Sequence, residues 1–131
     1  MSVVVGYVPT PEGEAALEAA VQAATTQETR LVVVLSDRGN RFGGDAAALQ
    51  EHADEVRRRL DDAGLRHDVR VTRRGRDVAD DIIAAAEEGG CELIVIGLRR
   101  RSPVGKLILG SNAQRILLDA PCPVLAVKPP A

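Results

Sequence analysis

The sequence predicts an α/β protein in which helices cover both faces of a parallel five-stranded sheet. Four short apolar runs rich in β-branched residues alternate with segments of helical periodicity, and a weaker alternating run has the pattern of an edge strand. The predicted strands are residues 3–8, 31–35, 69–72, 93–96 and 124–127. Continuous apolar runs are typical of strands buried on both faces of a parallel sheet, and strand–helix alternation requires such a sheet.

Each segment between the strands carries an apolar stripe with helical spacing. The four stripes are Ala16, Leu17, Ala20, Val21 and Ala24; Leu49, Ala53, Val56, Leu60 and Ala63; Ala79, Ile82, Ile83 and Ala86; and Ala113, Ile116, Leu117 and Ala120.

Capping residues mark where these helices begin and end. The predicted starts are Thr10 before Pro11, Asp77 with Asp80, and a capping box of Ser111 with Gln114. Glycines at Gly64 and at Gly89-Gly90 predict the ends of the second and third helices.

Length and composition indicate a single cytoplasmic domain spanning residues 1–131. The 17 basic and 19 acidic residues nearly cancel, which argues against nucleic-acid and membrane partners. Tyr7 and Phe42 are the only aromatic residues, too few for stacking on nucleic-acid bases. No secretory signal is visible, and Cys91 and Cys122 are expected to be free thiols in a reducing compartment.

The ligand site is expected where the strand order reverses, beyond the carboxyl ends of the strands. If the first three strands wind one way and the last two the other, this crevice lies between the first and fourth strands. The segments that reach it are Val8-Pro9-Thr10, Leu35-Ser36-Asp37, and Gly97 with the long loop after it. The start of the fourth helix, Gly110-Ser111-Asn112, can reach the same place. A helix N-terminus offers backbone N–H groups and a dipole that favours an anion.

A basic cluster lies in the connection before that helix. Arg99, Arg100, Arg101 and Lys106 bring four positive charges within eight residues. Taken singly, each feature has a structural explanation: a solvated loop, a helix cap or a turn at a strand end. Together they predict a small anionic ligand, a nucleotide in particular.

Catalysis has little support in the sequence, and we expect no enzyme activity beyond slow, incidental hydrolysis of a bound nucleotide. There is no Ser-His-Asp order and no Walker loop. His52 and His67 have no second ligand at metal-binding spacing, so no metal site is predicted from them.

Three stretches of the chain resemble the universal stress protein family. Gly97 is followed thirteen residues later by Gly110-Ser111, and then by Pro121-Cys122-Pro123 leading into the last strand. The segments 4–17 and 86–97 are similar to the family's first strand and helix and to its approach to the nucleotide loop. The resemblance implies a Rossmann-like (adenine-nucleotide α-hydrolase-like) sheet of strand order 3-2-1-4-5, and usually a homodimer.

The resemblance also implies a site for ATP or AMP, with or without Mg²⁺. Nucleotide-binding members carry a glycine, two residues, a second glycine, nine residues and then Gly-Ser or Gly-Thr. Gly97 and Gly110-Ser111 match the first and last of these, whereas Arg100 replaces the second glycine and Val8 replaces the first strand's aspartate. The arginine fork suits phosphate. Adenine is expected between Val8, Val34 and Leu98, with Pro9 and Thr10 nearby.

The alternative is a dimeric interaction protein that binds no nucleotide. Its last strand, formed by Val124, Leu125, Ala126 and Val127, is an apolar sheet edge that pairing with a second copy would cover.

Overall fold

The structure, a computed structural model, describes residues 1–35, 46–72, 77–98 and 110–129. Strands and helices alternate along these residues. In chain order they are β1 Ser2–Tyr7, α1 Pro11–Gln27, β2 Arg30–Leu35, α2 Ala46–Asp62, β3 His67–Val71, α3 Val78–Glu88, β4 Cys91–Gly97, α4 Ser111–Asp119 and β5 Val124–Val127.

All five strands are parallel and lie in the order β3-β2-β1-β4-β5, which confirms the predicted sheet. The central strand β1 pairs with β2 on one side and with β4 on the other, so that Val4 is the register partner of both Val32 and Ile94. The chain therefore reverses its winding direction between β1 and β4.

Two helices pack on each face of the sheet, as predicted. On one face, α1 and α2 cover Val3, Val5 and Val33; on the other, α3 and α4 cover Val4 and Ile94. Alternate side chains of one strand thus enter opposite cores, which explains why Val3, Val4 and Val5 of β1 form a continuous apolar run.

Several details of the predicted elements are wrong. β4 runs from Cys91 to Gly97 rather than over residues 93–96. β1 ends at Tyr7 because the Val8 carbonyl instead accepts a hydrogen bond from the Thr10 N–H at 2.8 Å. β3 runs from His67 to Val71 rather than over residues 69–72. Ala63 lies past the end of α2 and is exposed, and Leu117 is 43% exposed on α4.

Two predicted helix caps and two predicted helix ends are confirmed. The Thr10 hydroxyl accepts from the Gly13 N–H at 3.1 Å, and the Asp77 carboxylate accepts from the Ala79 N–H at 3.1 Å. Gly64 and Gly90 have φ values of 71° and 68°, the left-handed conformation that follows many helices. Of the helices that the structure describes, none is both long and apolar enough to cross a membrane.

Candidate functional site

A crevice opens beyond the carboxyl ends of β1 and β4, at the point where the strand order reverses. Its cavity has a volume of about 170 Å³. The N-terminal turns of α1, α3 and α4 all meet there. The described residues that line it are Gly6, Tyr7, Val8, Glu12, Gly13, Val78, Ile82, Ile96, Gly97, Asn112, Ala113 and Ile116.

Two glycines bring the first turn of α1 against the sheet. A Cβ at Gly13 would overlap the Val8 carbonyl, and a Cβ at Gly97 would overlap the carbonyl of Glu12. The Thr10 cap holds the same turn through the Gly13 N–H. Gly97 therefore has a packing role in addition to any role in ligand binding.

The start of α4 differs from the predicted capping box. Gly110, not Ser111, is the N-cap, and Ser111 is the first helical residue. Because glycine has no side chain, no side-chain hydrogen bond caps this helix. The first intrahelical bond runs from the Gln114 N–H to the Gly110 carbonyl at 3.0 Å. The N–H groups of residues 111–113 precede that bond, so they have no intrahelical acceptor and are available at the N-terminus.

Among the residues that the structure describes, none requires a glycine at position 110. Its φ of −72° and ψ of 168° suit any residue, and within the described part of the chain nothing lies within 4 Å of a Cβ built there. With respect to the described residues, Gly110 is exposed.

The structure brings together only some of the predicted site residues. Val8, Gly97 and Asn112 line the cavity. Pro9, Thr10, Leu98, Gly110 and Ser111 belong to the same edge of the sheet without lining it. Arg100, with Arg99, Arg101 and Lys106, lies outside the described residues.

Val34 lines a separate cavity of about 390 Å³ between α3 and the β2–β3 edge. Ile82 packs over Gly6, which is the register partner of Val34, and a Cβ at Gly6 would lie 2.7 Å from the Ile82 Cδ1. Arg70 also lines this second cavity and forms salt bridges with Asp68 at 2.8 Å and with Glu88 at 2.6 Å.

Sequence reasoning missed the contribution of α3 to the crevice. Ile82 belongs to the predicted core stripe of the third helix and Val78 to no predicted site, yet both line the cavity. In a parallel sheet the helix that follows β3 begins at the same edge as the ligand site, so the topology itself was the available signal. Glu12 and Gly13 were missed because their role depends on contacts with Gly97 and Val8.

A hydrogen-bonded network lies beneath the site, between β1, α1 and α2. The buried Tyr7 hydroxyl donates to Glu14, and Arg59 donates to the other carboxylate oxygen at 2.9 Å. Burial and the bond to Glu14 raise the pKa of Tyr7. Burial alone would raise the pKa of Glu14, but the bonds from Tyr7 and Arg59 outweigh it and hold that pKa below its ordinary value.

The two cysteines lie at the opposite end of the sheet from the crevice, near the starts of β4 and β5. Both are free thiols. Burial and the neighbouring Cys91 thiol raise the pKa of Cys122 to about 12, so Cys122 stays protonated at neutral pH. This protonation state fits the expected packing role.

Comparison with known proteins identifies the family. The profile described as the Universal stress protein family matches residues 1–128. The chain belongs to this family. A universal stress protein of Mycolicibacterium smegmatis is 40% identical over 97% of both chains. The family assignment places the protein among stress-response proteins.

Solved structures of family members show the same fold. A universal stress protein from Archaeoglobus fulgidus superposes with a TM-score of 0.78 at 31% identity, covering 98% of both chains. Another structure of a universal stress protein from that organism, in complex with dAMP, superposes with a TM-score of 0.76 at 26% identity, again over 98% of both chains.

Proposed function

We propose that this universal stress protein binds an adenine nucleotide, AMP or ATP, in the crevice between β1 and β4. The observation that carries the proposal is the position of the cavity. It lies where the strand order reverses, the location at which open α/β sheets bind ligands, and the N-terminus of α4 borders it.

The size of the cavity determines which parts of the nucleotide we place inside it. A volume of about 170 Å³ is below the roughly 300–1,000 Å³ of typical small-molecule sites. We therefore place only the base and sugar inside, against the aliphatic side chains of Val8, Val78, Ile82 and Ile96. The phosphate extends outward to the N-terminus of α4.

Gly110 supports the phosphate position. Because neither its backbone angles nor a neighbouring described residue requires a glycine, the missing side chain is best explained by the close approach of a ligand. The phosphate would meet the N–H groups of residues 111–113 and the Ser111 hydroxyl. Arg100 would supply the charge expected from the sequence, and Mg²⁺ would accompany ATP but not AMP.

The comparisons give independent support, since a relative of 26% identity has been solved in complex with dAMP. We propose a nucleotide-dependent binding module rather than an enzyme, because the described lining of the cavity is mainly aliphatic. The free thiols of Cys91 and Cys122 are consistent with a reducing cytoplasm, which also contains the nucleotides.

Titration calorimetry and thermal unfolding with AMP, ADP and ATP test the proposal. Ligand at 100 times its dissociation constant should stabilise the protein by about 2.7 kcal/mol. Gly110→Leu should abolish this effect by blocking the phosphate. Gly89→Leu is the matched control, because Gly89 also faces open space with a negative φ but caps the far end of α3. If millimolar nucleotide causes neither heat nor a thermal shift in the wild-type protein, the proposal is wrong.

A second candidate function, homodimerisation through β5, has its own support. β5 is an edge strand, and Leu125 on it is 44% exposed. On α4, Arg115 faces α3 through its ion pairs, so Leu117, two residues on, faces the opposite side of the helix. Leu118 is 83% exposed beside it. We propose that a second copy covers these leucines and pairs with β5.

Light scattering at micromolar concentration tests the dimer. Leu125→Glu should give a monomer, because it places a charge within the apolar edge. Ala84→Glu, on the exposed surface of α3, should leave the dimer intact. A wild-type monomer would exclude this interface.

A further inference from the structure

We infer that Glu12 determines which sugar the crevice accepts: its carboxylate receives a hydrogen bond from the 2′-hydroxyl of a ribonucleotide. The inference rests on the proposed nucleotide site and adds selectivity to it. It predicts that the protein prefers ribonucleotides to 2′-deoxyribonucleotides.

The first observation is the fixed position of Glu12. It is the second residue of α1, between the Thr10 cap and Gly13, whose α-carbon packs on the Val8 backbone. A Cβ at Gly97 would lie 3.1 Å from the Cβ of Glu12, so the side chain of Glu12 begins directly above the end of β4. Because contacts on two sides hold this turn, the side chain of Glu12 starts from a defined point on the rim of the cavity.

The second observation is the chemistry of the cavity lining. Glu12 carries the only charged side chain among the described residues that line it. Tyr7 also lines it, but its hydroxyl already donates a hydrogen bond to Glu14. An ionised carboxylate accepts hydrogen bonds and donates none.

These properties select one part of the nucleotide. A carboxylate repels the phosphate, which has its own position at the N-terminus of α4. The base fits the aliphatic surface of Val78, Ile82 and Ile96. The ribose hydroxyls are the donors that remain between the two, and a carboxylate is a common partner of a ribose 2′-hydroxyl in α/β nucleotide sites.

Two other roles for Glu12 give different results. An acidic residue in a first helical turn stabilises the helix dipole, which would change stability without changing selectivity. Alternatively, the carboxylate could accept from the exocyclic amine of adenine. Inosine monophosphate lacks that amine and retains the ribose, so it separates the base from the sugar.

The experiment is calorimetric titration with AMP, dAMP and inosine monophosphate. We expect the wild-type protein to bind AMP at least about tenfold more tightly than dAMP, as the loss of one charge-assisted hydrogen bond implies. Inosine monophosphate should bind about as tightly as AMP. Glu12→Gln should lower the AMP-to-dAMP ratio, because its amide oxygen still accepts a hydrogen bond but carries no charge. Glu18→Gln, an exposed acid further along α1, should retain the wild-type ratio.

If the wild-type protein binds AMP and dAMP equally tightly, this inference is wrong and the proposed function stands. The same holds if the protein binds inosine monophosphate more weakly than AMP but does not distinguish AMP from dAMP. No binding of AMP overturns the proposed function and this inference with it. The wild-type ratios do not depend on any variant, so they remain decisive even if Glu12→Gln folds poorly.

Discussion

Replacing Gly13 by alanine should destabilise the protein, although the same change within most helices is stabilising. Helix propensity alone favours alanine by up to about 1 kcal/mol. In this structure, however, the new Cβ would overlap the Val8 carbonyl oxygen and lie 2.8 Å from its carbon and 3.0 Å from the Val8 nitrogen. These are backbone atoms, so no side-chain rotation relieves the overlap.

The neighbouring glycines provide a graded series. Introducing a methyl group into a close-packed site typically costs about 1–3 kcal/mol. We expect a net loss of about 2 kcal/mol for Gly13→Ala and a smaller loss for Gly97→Ala, whose Cβ would meet the Glu12 backbone. Gly6→Ala should cost least, because the obstructing atom, the Ile82 Cδ1 at 2.7 Å, ends a side chain that can rotate.

Urea denaturation followed by far-UV circular dichroism measures these differences, with thermal unfolding as a second assay. A loss of 2 kcal/mol corresponds to a fall of about 7 °C in the melting temperature for a domain of this size. Gly89→Ala is the control and should stay within about 0.5 kcal/mol of the wild type. A Gly13→Ala variant as stable as the wild type would refute the packing argument.

Two further predictions concern the ion pairs. The folded-state pKa of Glu14 lies below its ordinary value of 4.5, so its contribution to stability is present above that pH and is lost as the pH falls through the folded pKa. Glu14→Gln should therefore show a weaker loss of stability on acidification in denaturant titrations, and a slope equal to the wild type's would contradict the network. Arg115 pairs with Asp77 at 3.4 Å, with Asp80 and, at 3.8 Å, with Asp119, and its side chain is partly exposed. Arg115→Met should cost about 1 kcal/mol or less at low salt, and the difference should shrink in 1 M NaCl; a salt-independent difference would indicate lost packing instead.

Apolar periodicity and helix caps were sufficient to predict the elements of the fold. The valines of β1 and β2 and the alanine stripe of α1 have patterns set by strand and helix geometry, and the structure confirms them. Leu117 shows the limit of this reasoning. Its spacing places Leu117 beside Ile116 in an apolar stripe. Only the packing of α4 against α3 shows that Ile116 is buried and Leu117 is partly exposed.

The candidate site was predictable to the level of its location and three lining residues, Val8, Gly97 and Asn112. Val34 was expected there because β2 also ends at this edge. Packing of Ile82 over Gly6 leaves it in another cavity, and sequence spacing carries no information about such contacts.

The order of apolar and polar residues by itself determined that this chain folds into alternating strands and helices, because periodicity is a local property of the backbone. Tertiary structure alone decided that a glycine at residue 97 accommodates the carbonyl of Glu12, and that Glu12 lines the crevice. Residues 12 and 97 are more than 80 residues apart along the chain. The distance between them is fixed only when the helices pack against the sheet to form the two cores.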